Sequence, residues 1–401
     1  MTKIDQKAAL AEVEDNEIAQ HFEYSVKVMR RLLQMIGMWP FTSATYPKVL
    51  RLLLIGVVCF LLMAFTIPFC LHMFIIVKDF QIRLRLIGPL SFGLMNIFKY
   101  VTVLLREGQL RECVEWMATD WRSVRSRVEI DLMLQNAGSA KTFTLICFTC
   151  MYVSGMSYSA LFSFMVSPVI IDNKTTRVFA YPSYFVFFDS HEHFGKVYTL
   201  HAVCGFAKFT ITCAVASVAI VCVKHVCGQI AVTSWMLRNF SAGSFDVAAF
   251  GRIIDKHLRA ITFARKLEGY LSSMCLVELT GCCFNICMLG YYFITEHSQS
   301  LVGPYTYCML LMSFTFNIFV FCYIGEQLTG KCSVIGNVAY NVDWYDFAAK
   351  DARNLLMMVA STQRPVVLTA GKMATLSMTC FSSVIKASFS YLNMLRTVTN
   401  S

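Results

Sequence analysis

Four groups of residues in this 401-residue chain have the types or spacing to do chemistry. Cys147 and Cys150 stand three apart, the spacing of paired metal ligands, yet they lie in an apolar run with no second pair to complete a site, so no metal is expected. His191 and His193 flank Glu192 and form an equally incomplete set. Glu278 is the only acid within the long apolar windows, against Arg85, Lys99, Lys208, Lys372 and Lys386. A membrane enzyme would need acids, histidines or a nucleophile clustered at one depth, and that cluster is missing. The fourth group is a stripe: Thr375, Thr379, Ser382, Lys386, Ser390, Asn393 and Thr397 recur at steps of three and four, which sets seven polar groups on one helical face. In hydrocarbon such a face needs either another helix or water to satisfy it. Both answers meet the requirement, and the length of the stripe favours a water-filled pathway.

The elements that must position these groups are membrane helices. The chain is 56% hydrophobic and 15% charged with mean hydropathy +0.56, where soluble domains average roughly 45–50% apolar and about 25% charged. That composition excludes a soluble enzyme, a disordered chain and a disulfide-stapled secreted module. The 17 cysteines lie almost all inside apolar runs and read as small buried hydrophobes. Windows long enough to cross about 30 Å of hydrocarbon fall at residues 52–77, 84–105, 142–167, 199–223, 273–295, 304–325 and 366–395. The fold class is therefore all-α integral membrane with seven transmembrane helices. The first 21 residues lack the short apolar core of a signal peptide, so nothing is expected to be removed.

Lys and Arg number 24 on the N-terminal tail and even-numbered connections and 6 on the other side. Positive charge gathers in the cytoplasm, which makes the N-terminus cytoplasmic and the C-terminus extracellular. A G-protein-coupled receptor is oriented the other way. In this orientation Asn173-Lys-Thr175 is an extracellular glycosylation acceptor, whereas Asn239-Phe-Ser241 stays inside and bare.

The cytoplasmic connections carry amphipathic helices. Leu110, Val114, Met117, Trp121, Val124 and Val128 share one face, and Phe250, Ile254, His257, Ile261 and Ala264 share another. Exposed apolar faces there favour subunit assembly over packing within one chain. From Trp344 to Pro365 the pattern is helical until the proline interrupts it, giving a broken seventh helix, cytosolic first and then membrane-crossing. Val26, Met29, Leu33 and Ile36 define a helix expected to lie on the inner leaflet before Gly37-Met38-Trp39-Pro40 ends it.

At these residues the sequence resembles the insect odorant receptors, a family of odorant-gated cation channels. The resemblance is carried by Gly37-Met38-Trp39-Pro40, Tyr181-Pro182, Phe188-Asp189, Tyr198, Tyr340, Trp344, and Leu368-Thr369-Ala370-Gly371-Lys372 leading to Ser377, Phe381, Ile385-Lys386 and Ser388-Phe389-Ser390-Tyr391. It implies a tetramer around a central pore, held by the cytosolic helix ends, in which an odorant-tuned subunit joins the shared odorant co-receptor. The short connection between the fourth and fifth spans marks a tuning subunit, and the absence of a Gln-Phe pair after Tyr391 favours an odorant over a tastant. The implied pore residues are Ser390, Asn393, Met394, Thr397 and Val398, with Met394 and Val398 at the family's gate positions and Leu395 as a rival register. The implied odorant pocket lies between the second, third, fourth and sixth spans, with Phe92, Met95, Tyr152, Gly155, Ser159, Phe206, Phe209, Tyr305, Met309 and Met312 as candidates.

The chain then divides into a cytoplasmic N-terminal segment at 1–51, the first four membrane helices with the pocket elements at 52–223, cytosolic connections, fifth and sixth helices and assembly region at 224–365, and the pore helix with a short extracellular tail at 366–401. The expected partners are the co-receptor, a small volatile odorant and the lipid bilayer, without nucleic acid or cofactor, in the plasma membrane of an olfactory neuron's dendrite. The competing classes are a polytopic membrane enzyme and a non-conducting seven-helix receptor.

Overall fold

A computed structural model describes residues 3–124, 126–165, 169–171, 174–186, 190, 192–240, 247–295 and 302–400. The helices are α1 (Lys3–Met35), α2 (Lys48–Leu71, continued by a π-helical turn His72–Ile76), α3 (Phe80–Leu105), α4 (Glu107–Arg122), α5 (Arg127–Met165), α6 (Phe194–Arg238), α7 (Val247–Thr295), α8 (Val302–Tyr340), α9 (Ala349–Thr362) and α10 (Met378–Asn400). Two antiparallel hairpins accompany them, β1 (Val169–Ile171) with β2 (Lys174–Thr176), and β3 (Thr369–Ala370) with β4 (Ala374–Thr375). Asn173 lies outside the described residues.

Six helices, α2, α3, α5, α6, α7 and α8, are long and apolar enough to span a membrane. With α10 they account for the seven spans, and α5 to α8 run well past the apolar windows, up to 49 residues in α7. α6 is the central post: 94% of its most apolar window is buried, against 28–56% in the other five. An apolar helix in a membrane can face lipid or protein; α6 faces protein on all sides, and the small residues Cys213, Ala214, Ala216, Ser217 and Ala219 let its neighbours approach closely. All 17 cysteines are free thiols.

The last span is shorter than the 366–395 window. Its first third is the β3–β4 hairpin, and the helix starts at Met378, capped by a Glu326 carboxylate oxygen that accepts from its backbone N–H at 3.2 Å. Gly371 at the hairpin tip has φ +60, a conformation that suits glycine, and an added Cβ would stand 2.6 Å from Leu276. The hairpin hangs on α7: the Gly371 N–H donates to the Ser272 carbonyl at 2.8 Å, Thr369 Oγ1 to Glu268 at 2.6 Å, and Lys372 Nζ also bonds Glu268. Lys372, which the 366–395 window includes, is thus a turn residue with an acid partner.

Two expectations about apolar faces are corrected. Val26, Met29, Leu33 and Ile36 of α1 are buried among α4, α5 and α6, so this face meets protein and not the leaflet. Leu110, Val114, Met117, Trp121 and Val124 are also covered within the chain, as are Phe250, His257 and Ala264, while Val128 is exposed. His257 faces Ser361 of α9 at 3.3 Å, and burial holds its imidazole below the usual histidine range. A further set of exposed apolar groups, Tyr340, Trp344, Tyr345, Leu356 and Met357, gathers around α9.

In the membrane interior, Lys99 of α3 pairs with Glu278 of α7 at 2.5 Å, both inaccessible to solvent. Asn317 Nδ2 of α8 donates to the other Glu278 oxygen. One turn along α3, Asn96 Oδ1 accepts from Thr212 of α6 at 2.9 Å, so four helices meet in one polar layer. Removing one member of a buried pair leaves an uncompensated charge and costs about 3–5 kcal/mol, whereas replacing both by apolar groups is often neutral. Glu278→Ala should therefore melt well below wild type in detergent, and the double variant Lys99→Met with Glu278→Met should recover most of the loss. Equal melting of Glu278→Ala and wild type would show that the pair carries no weight.

Candidate functional site

Directly beyond this polar layer, a cavity of about 60 Å³ is set between α3, α5, α6, α7 and α8. At about 10–15 Å³ per water-sized space, it holds a handful of atoms before any side chain moves. Its floor and walls are aromatic. Phe92 of α3 meets Phe314 of α8 edge-on at 5.5 Å and lies 5.9 Å from Phe209 of α6. Tyr158 of α5 lies 5.5 Å from Tyr181 of the outer loop and 6.2 Å from Tyr307 of α8, and Tyr292 of α7 is 5.8 Å from Tyr307. Edge-on and tilted contacts of this kind hold rings in defined places while leaving apolar faces toward the cavity. The tyrosine hydroxyls point away to backbone: Tyr158 to Ala180 O at 3.4 Å and Tyr292 to Leu84 O at 2.9 Å. Such a lining suits a small, mostly apolar ligand.

Of the ten sequence candidates, Phe92 and Phe209 line this cavity. On α5 the lining residues are Met151, Ser154 and Tyr158, each one position before the expected Tyr152, Gly155 and Ser159. One residue turns a helix by about 100°, enough to carry a side chain out of the wall. Tyr152 instead stacks on Phe148 and hydrogen-bonds Thr210, and Ser159 is buried outside the lining. Phe206, Tyr305 and Met312 are exposed on the outer surface, Met309 is half-buried, and Met95 packs against Gly281. On α8 the inward set is Tyr307, Leu310, Ser313 and Phe314. Both helices are apolar on all sides in these stretches, so periodicity gives no inward direction. α7 contributes Asn285, Leu289 and Tyr292, which were not expected. Their spacing of four and three was the available signal. Gly155 matters through a neighbour: a Cβ there would stand 2.0 Å from the Phe209 ring.

The second feature is α10. Its inward face, with Val384, Ser388 and Leu392, packs on α7 and α8, and Ser388 Oγ donates to the Cys283 carbonyl at 3.3 Å. The whole stripe, Thr375, Thr379, Ser382, Lys386, Ser390, Asn393 and Thr397, is exposed, as is Met394. Leu395 is half-buried against the core. The Val398 side chain lies outside the described ones. Between α7 and α10 runs an open, apolar groove of about 960 Å³.

The sequence pattern of the family described as 7tm Odorant receptor matches residues 83–389. This chain belongs to that family. Among its relatives, Odorant receptor 13a of Drosophila melanogaster is 26% identical over 195 residues, covering 44% of this chain and 46% of that protein. Odorant receptor Or2 of Anopheles gambiae is 25% identical over 199 residues, covering 49% and 52%. The matched part of the chain spans about half the length of these relatives. The olfactory receptor OR5 of Machilis hrabei in complex with eugenol superposes with a TM-score of 0.79 over 94% of this chain and 99% of that one, at 15% identity, and so shares the fold. The family is one of receptors and not of enzymes, and this member of it is a multi-pass membrane protein.

Gly155→Ala should push the Phe209 ring into the cavity. Concentration–response currents are expected to shift at least tenfold for the bulkiest active volatiles and less for the smallest. Phe206→Ala, on the outer surface, should leave both unchanged; the reverse pattern would place the ligand on the lipid side of α6.

Proposed function

We propose that this chain is an odorant-tuned subunit of a ligand-gated, weakly selective cation channel, assembled as a tetramer with the odorant co-receptor in the dendritic plasma membrane of olfactory neurons. The observation that carries the reading is the α10 stripe. Six polar groups of α10, from Thr379 to Thr397, recur at helical spacing on its exposed face, with Thr375 of the β3–β4 hairpin exposed before them, and a membrane cannot satisfy them. Copies of α10 around an axis would enclose them in water, with Ser390, Asn393 and Thr397 along the wall. Met394 then stands at the apolar constriction ahead of Leu395, whose side chain is held by its own subunit. Dry constrictions of this kind open by wetting.

Assembly is supported at the other end of the molecule. Tyr340, Trp344, Leu356 and Met357 expose apolar area on the cytosolic side, with Leu356 and Met357 at 67% and 65%, and such patches mark contacts between subunits. The cavity of Phe92, Tyr158 and Phe209 is the odorant site in this reading. Phe92 lies one turn from Asn96 and two from Lys99 on α3, so a guest that binds better when this helix shifts biases the polar layer and, through α7 and the β3–β4 hairpin, the base of α10. Opening requires that the ligand prefer the open state.

The test is whole-cell current with this chain alone, with the co-receptor alone and with both, under a panel of volatiles. Odorant-evoked current is expected only with both, and a co-receptor agonist reports that the assembly conducts. Ser390→Glu and Asn393→Asp should raise the permeability of divalent over monovalent cations severalfold. Unchanged selectivity in a conducting assembly would remove α10 from the conduction path.

A further inference from the structure

Lys208 of α6 is a charged group in the wall of an otherwise apolar cavity. Its side chain is 3% exposed, so it does not snorkel to an interface. The amine stands 3.0 Å above the centre of the Phe65 ring and 5.2 Å from that of Tyr181. These faces attract a cation but accept little from its three N–H donors. Among the described residues no carboxylate pairs with it and no oxygen accepts from it, in contrast to Lys99 with Glu278. Three other polar side chains of the wall are engaged by backbone carbonyls: Tyr292 with Leu84 O, Ser154 with Cys150 O, and Asn285 Nδ2 with Gly281 O. The Lys208 amine brings three donors to the wall, none of which meets an acceptor among the described residues, and buried donors without acceptors are costly.

We propose that Lys208 is the polar recognition point of the cavity and selects small volatiles that carry a carbonyl oxygen, such as ketones, esters and aldehydes. This rests on the reading of the cavity as the odorant site. The carbonyl oxygen accepts from the ammonium while the carbon skeleton fills the space between Phe92, Tyr158 and Phe209. A hydrocarbon of the same shape gains the apolar burial but leaves the donors unanswered, and a site built around a hydrogen bond rejects the analogue that lacks it far more strongly than it rejects a small change in size.

The experiment uses the full chain with the co-receptor and matched pairs differing at the carbonyl: 2-heptanone with heptane, and acetophenone with ethylbenzene, each response scaled to the current evoked by a co-receptor agonist. In the wild type the ketone should be at least tenfold more potent than its partner, Lys208→Met should reduce that ratio below threefold, and Lys208→Arg should retain part of it. An unchanged ratio in Lys208→Met, or ketones no better than hydrocarbons in the wild type, overturns the inference while leaving an odorant-gated channel in place. If the assembly answers the co-receptor agonist but no volatile, the channel reading of the cavity fails, and melting of the purified chain decides on Lys208 independently. Stabilisation by 2-heptanone over heptane that is lost in Lys208→Met upholds the inference, and no difference between the two compounds overturns it.

Discussion

A charge placed in hydrocarbon is costly unless the protein supplies a partner for it, and the Lys99–Glu278 pair is where this chain supplies a full counter-charge. The pair sets the rotation of α3 against α7. Asn317 fixes α8 to the same carboxylate, and Asn96 with Thr212 brings in α6. Once these helices are locked in rotation, the next turn outward has no freedom: Phe92, Phe209, Tyr292 and Phe314 must converge. The cavity thus sits on the polar layer beneath it, which sets where its aromatic walls converge.

Much of the architecture could be read from residues alone because hydrophobic length and charge distribution are one-dimensional quantities. The windows from 52–77 to 304–325 correspond to helices, and the break at Pro365 separates α9 from α10. The stripe from Thr375 to Thr397 could also be read, since it contrasts with apolar neighbours and the structure leaves it exposed. The cavity could not. Tyr152 and Tyr158 are both aromatic on the same apolar helix, and only the position of α6 and α8 decides that Tyr158 faces inward. The same holds for Leu110, Met117 and Trp121, whose amphipathic pattern states that a cover exists and not that α1 and α6 supply it. The partner of Lys99 was equally out of reach, because 179 positions separate it from Glu278 in the chain.

The connector between α9 and α10 joins the two ends of the molecule. Gly371 and Lys372 turn with positive φ, and Glu268, Ser272 and Thr369 tie that turn to α7. α7 also carries Glu278 of the polar layer and Asn285 and Tyr292 of the cavity wall. A displacement of α7 along its axis would therefore reach the cavity, the ion pair and the root of α10 through one rigid rod.

α10 is held to its own chain by one face, through Ser388 and Leu392, and leaves the opposite face unanswered. Half of its surroundings must come from outside the chain. In the proposed assembly, substitutions around Phe92 or Tyr158 are judged by this chain's own fit to a ligand, whereas substitutions on the outer face of α10 are judged by a surface encoded elsewhere. The two regions are thus free to diversify at different rates, which separates the evolution of what is detected from that of how the response is transmitted.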